Sequence, residues 1–359
     1  MHKGRGAVSN PAGRFETRRT EPVSDGWESD GWESDSWMQD GFGPAPSTEL
    51  FPDATRNLIA HNNSPDVPFD QSINPYKGCE HGCVYCFARP THAYLDLSPG
   101  LDFETKIFFK TNVEERLAEA LAKPGYECKV VALGANTDPY QPAEKQLRIT
   151  RRILEILADC RHPVSIVTKG ALLARDLDIL AEMAGRALVS VMVSVTTLDV
   201  DLKTRLEPRA AAPATRLALI SKLREAGVPV GVLMAPVIPG LNDDEIEAIV
   251  AECAARGARS IRYVLLRLPH EIKDLFREWL DTHEPLKAGR VMSLIRSMRG
   301  GKDYDARWRT RQTGEGVYAE LLARRFELAV KKQGLADAEL PALRTDLFRP
   351  PSGGQLSLL

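Results

Sequence analysis

Six short runs rich in β-branched residues recur through the middle of this 359-residue chain, separated by stretches with helical spacing. The runs are 72–76 (SINPY), 129–133 (KVVAL), 164–168 (VSIVT), 187–195 (ALVSVMVSV), 228–235 (VPVGVLMA) and 260–266 (SIRYVLL). Helical patterns occupy 143–158, 171–184, 213–226, 243–256 and 271–281. Most runs are continuously apolar, as in strands covered on both faces, and strand–helix alternation is the pattern of a parallel sheet with helical crossovers. Six such units predict an α/β fold built as a partial (β/α)6 barrel. The stretch 106–110 (KIFFK) reads as an extra edge strand between the first and second units. In such barrels the reactive groups gather where the strands end.

The first run leads into CEHGCVYC, which carries Cys79, Cys83 and Cys86 of the chain's six cysteines. A C-x3-C-x2-C loop supplies three thiolates, the soft ligands iron–sulfur clusters require, while a [4Fe-4S] cluster normally takes four. No fourth cysteine lies near, so one iron is left open to a small molecule. The competing reading is a Cys3His zinc site that includes His81, but structural zinc sites usually spread their ligands as pairs on separate turns. Cys128, Cys160 and Cys253 fall in apolar contexts and read as core.

This spacing, with Tyr85 just before the last cysteine, resembles the radical S-adenosylmethionine (SAM) superfamily. The resemblance covers residues 71 to about 285 and implies the partial TIM-type barrel of those enzymes, a [4Fe-4S] cluster and SAM bound at the open iron. It implies an enzyme that cleaves SAM reductively to a 5′-deoxyadenosyl radical for hydrogen abstraction. An external electron donor such as flavodoxin or ferredoxin is implied with it. It also nominates SAM contacts at successive strand ends. Gly134, Asn136, Thr137 and Asp138 follow the second strand and match the position that meets the SAM amino group. Lys169 follows the third and suits the SAM carboxylate; Ser194 and Thr196 end the fourth and suit the ribose. Gly240, after the fifth, suits adenine, and Glu207 with Arg209 form a polar pair above the fourth unit. Asn242 and Asp243 read as an ordinary helix cap. The runs NPYKGCEHGCVYC, TDPYQP, VTKG and VSVTT look most like the spore-photoproduct-lyase-like, "DNA repair photolyase" branch. Two departures matter. Phe87 stands where those lyases place a tyrosine, and residues 134–137 carry no hydrogen-donating cysteine. Thymine-dimer repair by a thiyl route is therefore not expected, and the substrate is open.

The flanks set the domain limits. Residues 1–55 read as a disordered tail: 1–19 hold five Lys/Arg and one Glu, whereas 21–53 hold nine acids and no Lys or Arg. Within the acidic part a five-residue unit puts Trp27, Trp32 and Trp37 in register. Deleting residues 1–50 is expected to leave the cluster site intact. Residues 56–285 form the barrel, and 286–359 a C-terminal extension with a basic loop followed by a helix near 316–333. Between Lys287 and Arg311 eight Lys/Arg and two Asp are interleaved with Tyr304 and Trp308, a pattern that suits a nucleic-acid groove or a solvated loop. Hydrophobic content of 43% without a signal peptide or an apolar span points to a cytoplasmic, non-membrane protein, and a monomer is expected. A non-catalytic iron–sulfur module that binds nucleic acid or a partner protein is the alternative class; a SAM cradle at the strand ends would be superfluous in it.

Overall fold

The computed structural model describes residues 4–16 and 47–351. Ten strands form two sheets: β1 (Glu49–Asp53), β2 (Ile59–His61), β3 (Gln71–Ile73), β4 (Tyr76–Lys77), β5 (Lys106–Lys110), β6 (Val131–Leu133), β7 (Val164–Thr168), β8 (Val189–Ser194), β9 (Val230–Val237) and β10 (Ser260–Leu265). The larger sheet runs β10-β9-β8-β7-β6-β3-β2. Its six expected strands are parallel and in sequence order, with β2 added antiparallel outside β3. Because β10 and β3 are not neighbours, the barrel stays open on that side. Side chains such as Val131, Ile166, Val191, Val232 and Met234 are buried, which explains the absence of alternation in these runs.

Three elements differ from the sequence reading. KIFFK is the middle strand of a separate three-stranded sheet, β1-β5-β4, instead of an edge of the barrel. The basic stretch begins as a helix, Pro285–Ser297, with Pro at its first turn and Val291, Met292 and Ile295 buried. That helix packs with Ile272–His283, and both share one apolar cluster with Val84 and Tyr85 of the cysteine loop, in which Trp279 is fully buried. The extension thus supports the loop from outside the barrel.

The third difference is the N-terminus. Residues 4–16 and β1, assigned above to a disordered tail, are packed on the barrel, while Trp27, Trp32 and Trp37 lie outside the described residues. The buried carboxylate of Glu104 accepts the backbone N–H groups of Gly6 (2.9 Å) and Ala7 (2.8 Å) and pairs with buried Arg89. Arg5 donates to the Glu104 carbonyl (2.9 Å). Gly6 is obligatory on steric grounds: a Cβ there would sit 1.7 Å from the carbonyl oxygen of Gly82, inside the cysteine loop. The segment binds through backbone N–H groups and polar side chains such as Arg5 and Ser9, and composition alone cannot reveal that.

Removing residues 1–16 strips two donors from a buried carboxylate, a loss of about 3 kcal/mol. Both this deletion and Gly6→Val are expected to lower the melting midpoint by roughly 5–10 °C in calorimetry; an unchanged midpoint would refute the packing. A pH dependence follows from two histidines. Burial, ahead of every other cause, lowers His92 and His162 to about 4. Neutral in the fold, they stabilise it fully above the unfolded pKa of about 6.5, and this contribution is lost as the pH falls towards 4. Each should contribute about 2 kcal/mol less at pH 5 than at pH 7, and His162→Gln should flatten the fall in melting midpoint over that range.

Candidate active site

The cysteine loop sits at the end of β3 and is fixed from several directions. Gly78 and Gly82 take left-handed conformations that let it turn tightly (φ +83° and +68°). Cys79 N–H bonds to the Phe103 carbonyl (2.9 Å), and Val84 N–H to that of Leu206 (3.1 Å). Gln141, buried beyond β6, accepts from Glu80 N–H (2.9 Å) and donates to the Gly78 carbonyl (3.2 Å). Arg89 Nε donates to the Cys83 carbonyl (2.8 Å). Arg209 N–H reaches the His81 carbonyl (3.2 Å), and its guanidinium pairs with Glu80 (3.0 Å). The loop is thus held by peptide groups and ion pairs that need no metal.

The nominated residues at the strand ends converge on this loop. Lys169 Nζ, just past β7, lies 2.6 Å from Ser194 Oγ, 3.1 Å from the Ala235 carbonyl and 3.5 Å from Glu207 Oε1. Glu207 is buried; it accepts from Thr196 Oγ1 (2.7 Å) and from the Tyr85 hydroxyl of the cysteine loop, and pairs with buried Arg216. Burial opposes its charge, but Arg216 and Lys169 prevail and hold the carboxyl well below its usual range. Asp138 accepts from Thr168 Oγ1 and Lys169 N–H, each at 2.7 Å, and faces His81 Nδ1 at 3.3 Å. Against the cost of burial, His81 and these donors lower its pKa.

Other nominated residues have structural duties. Thr137 is buried and donates to the Tyr76 carbonyl (2.8 Å). Gly134 lies so close to the Val167 carbonyl that a Cβ would meet it at 2.4 Å. The side opened by Gly240 faces Leu294 of the extension helix (3.2 Å from a notional Cβ). The amide N–H of Asn136 is held by Asn74 Oδ1 (2.9 Å). Asn242 stands at the cap position of the next helical turn, but its buried side chain makes no cap bond and instead joins the ends of β8 and β9, donating to the Thr196 (2.8 Å) and Pro236 (3.0 Å) carbonyls and accepting from Ile238 N–H (2.6 Å). Sequence reasoning missed Asn242, Arg216, Gln141, Glu104 and Arg89, whose partners mostly lie in other parts of the chain. A cavity of about 260 Å³ opens beside His81 and Arg209, lined also by Tyr140, Lys145 and Gly170. A cavity of about 280 Å³ near Leu58 and Tyr126 shares no lining residue with the loop.

The three thiols are free, two of them buried and Cys86 partly so. Burial, before any other cause, raises Cys79, Cys83 and Cys86, with the Asp138 charge adding to Cys79 and the Lys169 charge drawing Cys83 and Cys86 back down. Three thiolates in such a pocket require a positively charged occupant, which fits an iron–sulfur core. No three His, Cys, Asp or Glu groups among the described residues converge as a single metal ion needs. The irons of a cuboidal cluster lie at separate corners, and its thiolates need not meet at a point.

The basic stretch is mostly engaged internally. Arg296 pairs with Asp303, Arg307 with Asp305 and Glu315, Arg311 with Asp66, and Lys287 with Glu284. Arg299 is buried and donates to the carbonyls of Leu266, Thr310 and Arg311. Five of the eight cations thereby have protein partners. Among the described residues no helix is long and apolar enough to cross a membrane. Cys160 and Cys253 are core as expected, whereas Cys128 is only half-buried, ahead of β6.

Comparison with known proteins agrees with this geometry. An uncharacterised protein of Mycobacterium tuberculosis is 42% identical over 236 residues, spanning 65% of this chain and 69% of its own. One from Methanocaldococcus jannaschii is 28% identical over 180 residues, 50% of this chain and 64% of its own. Among solved structures, a spore photoproduct lyase variant superposes with a TM-score of 0.54 at 15% identity, covering 84% of this chain and 90% of that one, a likeness of fold. The model of the Radical SAM superfamily matches residues 73–253, from β3 through the cysteine loop to the helix after β9, and the chain belongs to that superfamily.

Proposed function

We propose that Cys79, Cys83 and Cys86 ligate a [4Fe-4S] cluster, that the strand-end network around Lys169 binds SAM, and that the protein abstracts a hydrogen atom from a separate substrate. The observation that carries this reading is the junction of the cysteine loop with Lys169, Ser194, Thr196 and Glu207 through Tyr85. A bound cluster supplies one electron that breaks a carbon–sulfur bond of SAM, giving methionine and the 5′-deoxyadenosyl radical.

The protein's own part is position and dryness. Lys169 keeps a cation near Cys83 and Cys86, where the SAM carboxylate would lie, and Ser194 and the Ala235 carbonyl aim its ammonium. Burial first, then the Cys83 and Glu207 charges, raise the Tyr85 phenol far above its usual range, so it stays a proton donor to Glu207. Val193, Val195 and Val237 are buried around these ends, and exclusion of water protects a radical from quenching. Asn136 and Asp138 stand where the SAM amino group would be met, with Arg209 steadying the loop at its rim. A small acidic redox protein such as flavodoxin or ferredoxin is the proposed electron donor, and the cytosol the proposed compartment. A purely structural cluster would have no use for the lysine or the strand-end hydroxyls.

Reconstituted without oxygen, the protein should carry about four iron per chain and release 5′-deoxyadenosine when given SAM and dithionite. Joint replacement of Cys79, Cys83 and Cys86 by Ala should abolish both, measured by iron analysis and chromatography. Stoichiometric zinc without iron in the wild-type protein would end the cluster assignment. Lys169→Ala should weaken SAM binding by about tenfold or more, seen as a shift in the concentration at which SAM perturbs the electron paramagnetic resonance spectrum of the reduced cluster. Cys160→Ala, in the core, should leave that titration unchanged; equal effects would remove Lys169 from the binding site.

A further inference from the structure

Among the described residues, most charged side chains that follow the barrel strands are paired with protein groups. Asp138 has His81 and Thr168, Lys169 has Ser194 and Glu207, Asp243 has Tyr318 and Gly240 N–H, and Glu271 has Arg14. Arg267, two residues past β10, has no hydrogen bond or ion pair among the described residues, and its Nε is buried without a partner. Its guanidinium lies 5.1 Å over the ring of Phe87, which follows Cys86 and is 44% exposed. Leu266 and Leu268 on either side are buried in the same apolar cluster as Cys83, Val84 and Tyr85 of the cysteine loop. The nearby carboxylate that would neutralise Arg267, Asp66, is occupied by Arg311 and the Arg309 N–H (2.6 Å).

An unsatisfied buried donor costs about 1–3 kcal/mol, and natural structures keep few of them without a reason. The guanidinium lies over the Phe87 ring, and its terminal N–H groups have no protein partner among the described residues, which leaves them available for charge-assisted contact with an oxyanion. We propose that Arg267, backed by Phe87, is the substrate-anchoring cation of this enzyme, taking a carboxylate or phosphate of the substrate beside the third cysteine. The assignment rests on the catalytic reading above and adds to it the chemical class of the substrate: a molecule with an oxyanion near the hydrogen to be abstracted. Arg267 also follows β10, the strand that borders the open side of the barrel.

The test uses full-length, cluster-loaded protein with SAM under anaerobic conditions and two probes, thymidine 5′-monophosphate and N-acetylglutamate, titrated by calorimetry. At least one should bind. Arg267→Gln should weaken it by about tenfold or more, as expected for loss of charge-assisted hydrogen bonds, Arg267→Lys should restore only part of the loss, and Phe87→Ala should weaken it less. Arg307→Gln, which removes a cation already paired, should change it less than about twofold. The probe that binds identifies phosphate or carboxylate as the recognised group. The proposal is overturned if neither probe binds, if Arg267→Gln and Arg307→Gln act equally, or if Arg267→Gln abolishes SAM cleavage, which would make Arg267 a SAM ligand. Failure of the underlying catalytic reading looks different: the wild-type protein would then release no 5′-deoxyadenosine, whatever the probes do.

Discussion

The buried carboxylate of Glu207 is the interaction on which the site depends. It joins a residue of the cysteine loop (Tyr85), the end of β8 (Thr196), the helix Pro213–Glu225 (Arg216) and the cation beyond β7 (Lys169). Removing one partner of such a pair strands the other in a dry environment at about 3–5 kcal/mol, so these groups are retained or lost together. The consequence is geometric. Two strand ends, one helix and the thiol loop are referred to one pair of oxygens, which fixes how far Lys169 stands from Cys83 and Cys86. A hydrophobic contact of equal strength would hold the elements together without fixing that separation.

A second buried carboxylate performs the matching task on the other side of the loop. Glu104 joins Arg89, which holds the Cys83 carbonyl, to the backbone of Gly6 and Ala7. The loop is therefore clamped at Cys83 and Tyr85 by carboxylates that approach from outside and inside the barrel. Its shape is a property of the polypeptide before any cofactor binds. Metal sites that form only with their metal couple binding to folding; one preset by its own ion pairs keeps binding affinity and fold stability largely separate.

The parts legible in the sequence share one physical trait: their signal is local. Most of the barrel strands are largely buried, so most read as nearly unbroken apolar runs, and all six appear where the runs are. The three cysteines lie within eight residues, and Lys169 stands directly at the exit of β7. The helix Pro285–Ser297 escaped notice because Lys287, Gly289 and Arg290 dilute its apolar stripe and its charges suggest a loop. β5 was recognised as a strand, but its partner β1 lies in a segment whose acidity and lack of apolar runs gave no sign of order. Glu104, Arg216 and Asn242 were illegible for a related reason. Buried polar residues take their meaning from partners such as Gly6, Glu207 and Thr196, and no pattern along the chain announces those pairings.

The pairing of charges also changes what the basic C-terminal stretch implies about partners. Counted along the sequence it is a cluster of positive charge; in the fold, Arg296, Arg307 and Arg311 each face a carboxylate, and Arg299 is consumed by three backbone carbonyls. Counterion release along a polyanion requires cations free to contact its phosphates, and a neutralised cluster contributes little to it. Exposed paired charges supply orientation and solubility more than affinity. The recognition of a substrate then falls to cations that the fold leaves without partners and holds near the chemistry. A single guanidinium that is desolvated on one side and anchored beside the thiol loop can discriminate by position, where a diffuse basic surface discriminates only by charge.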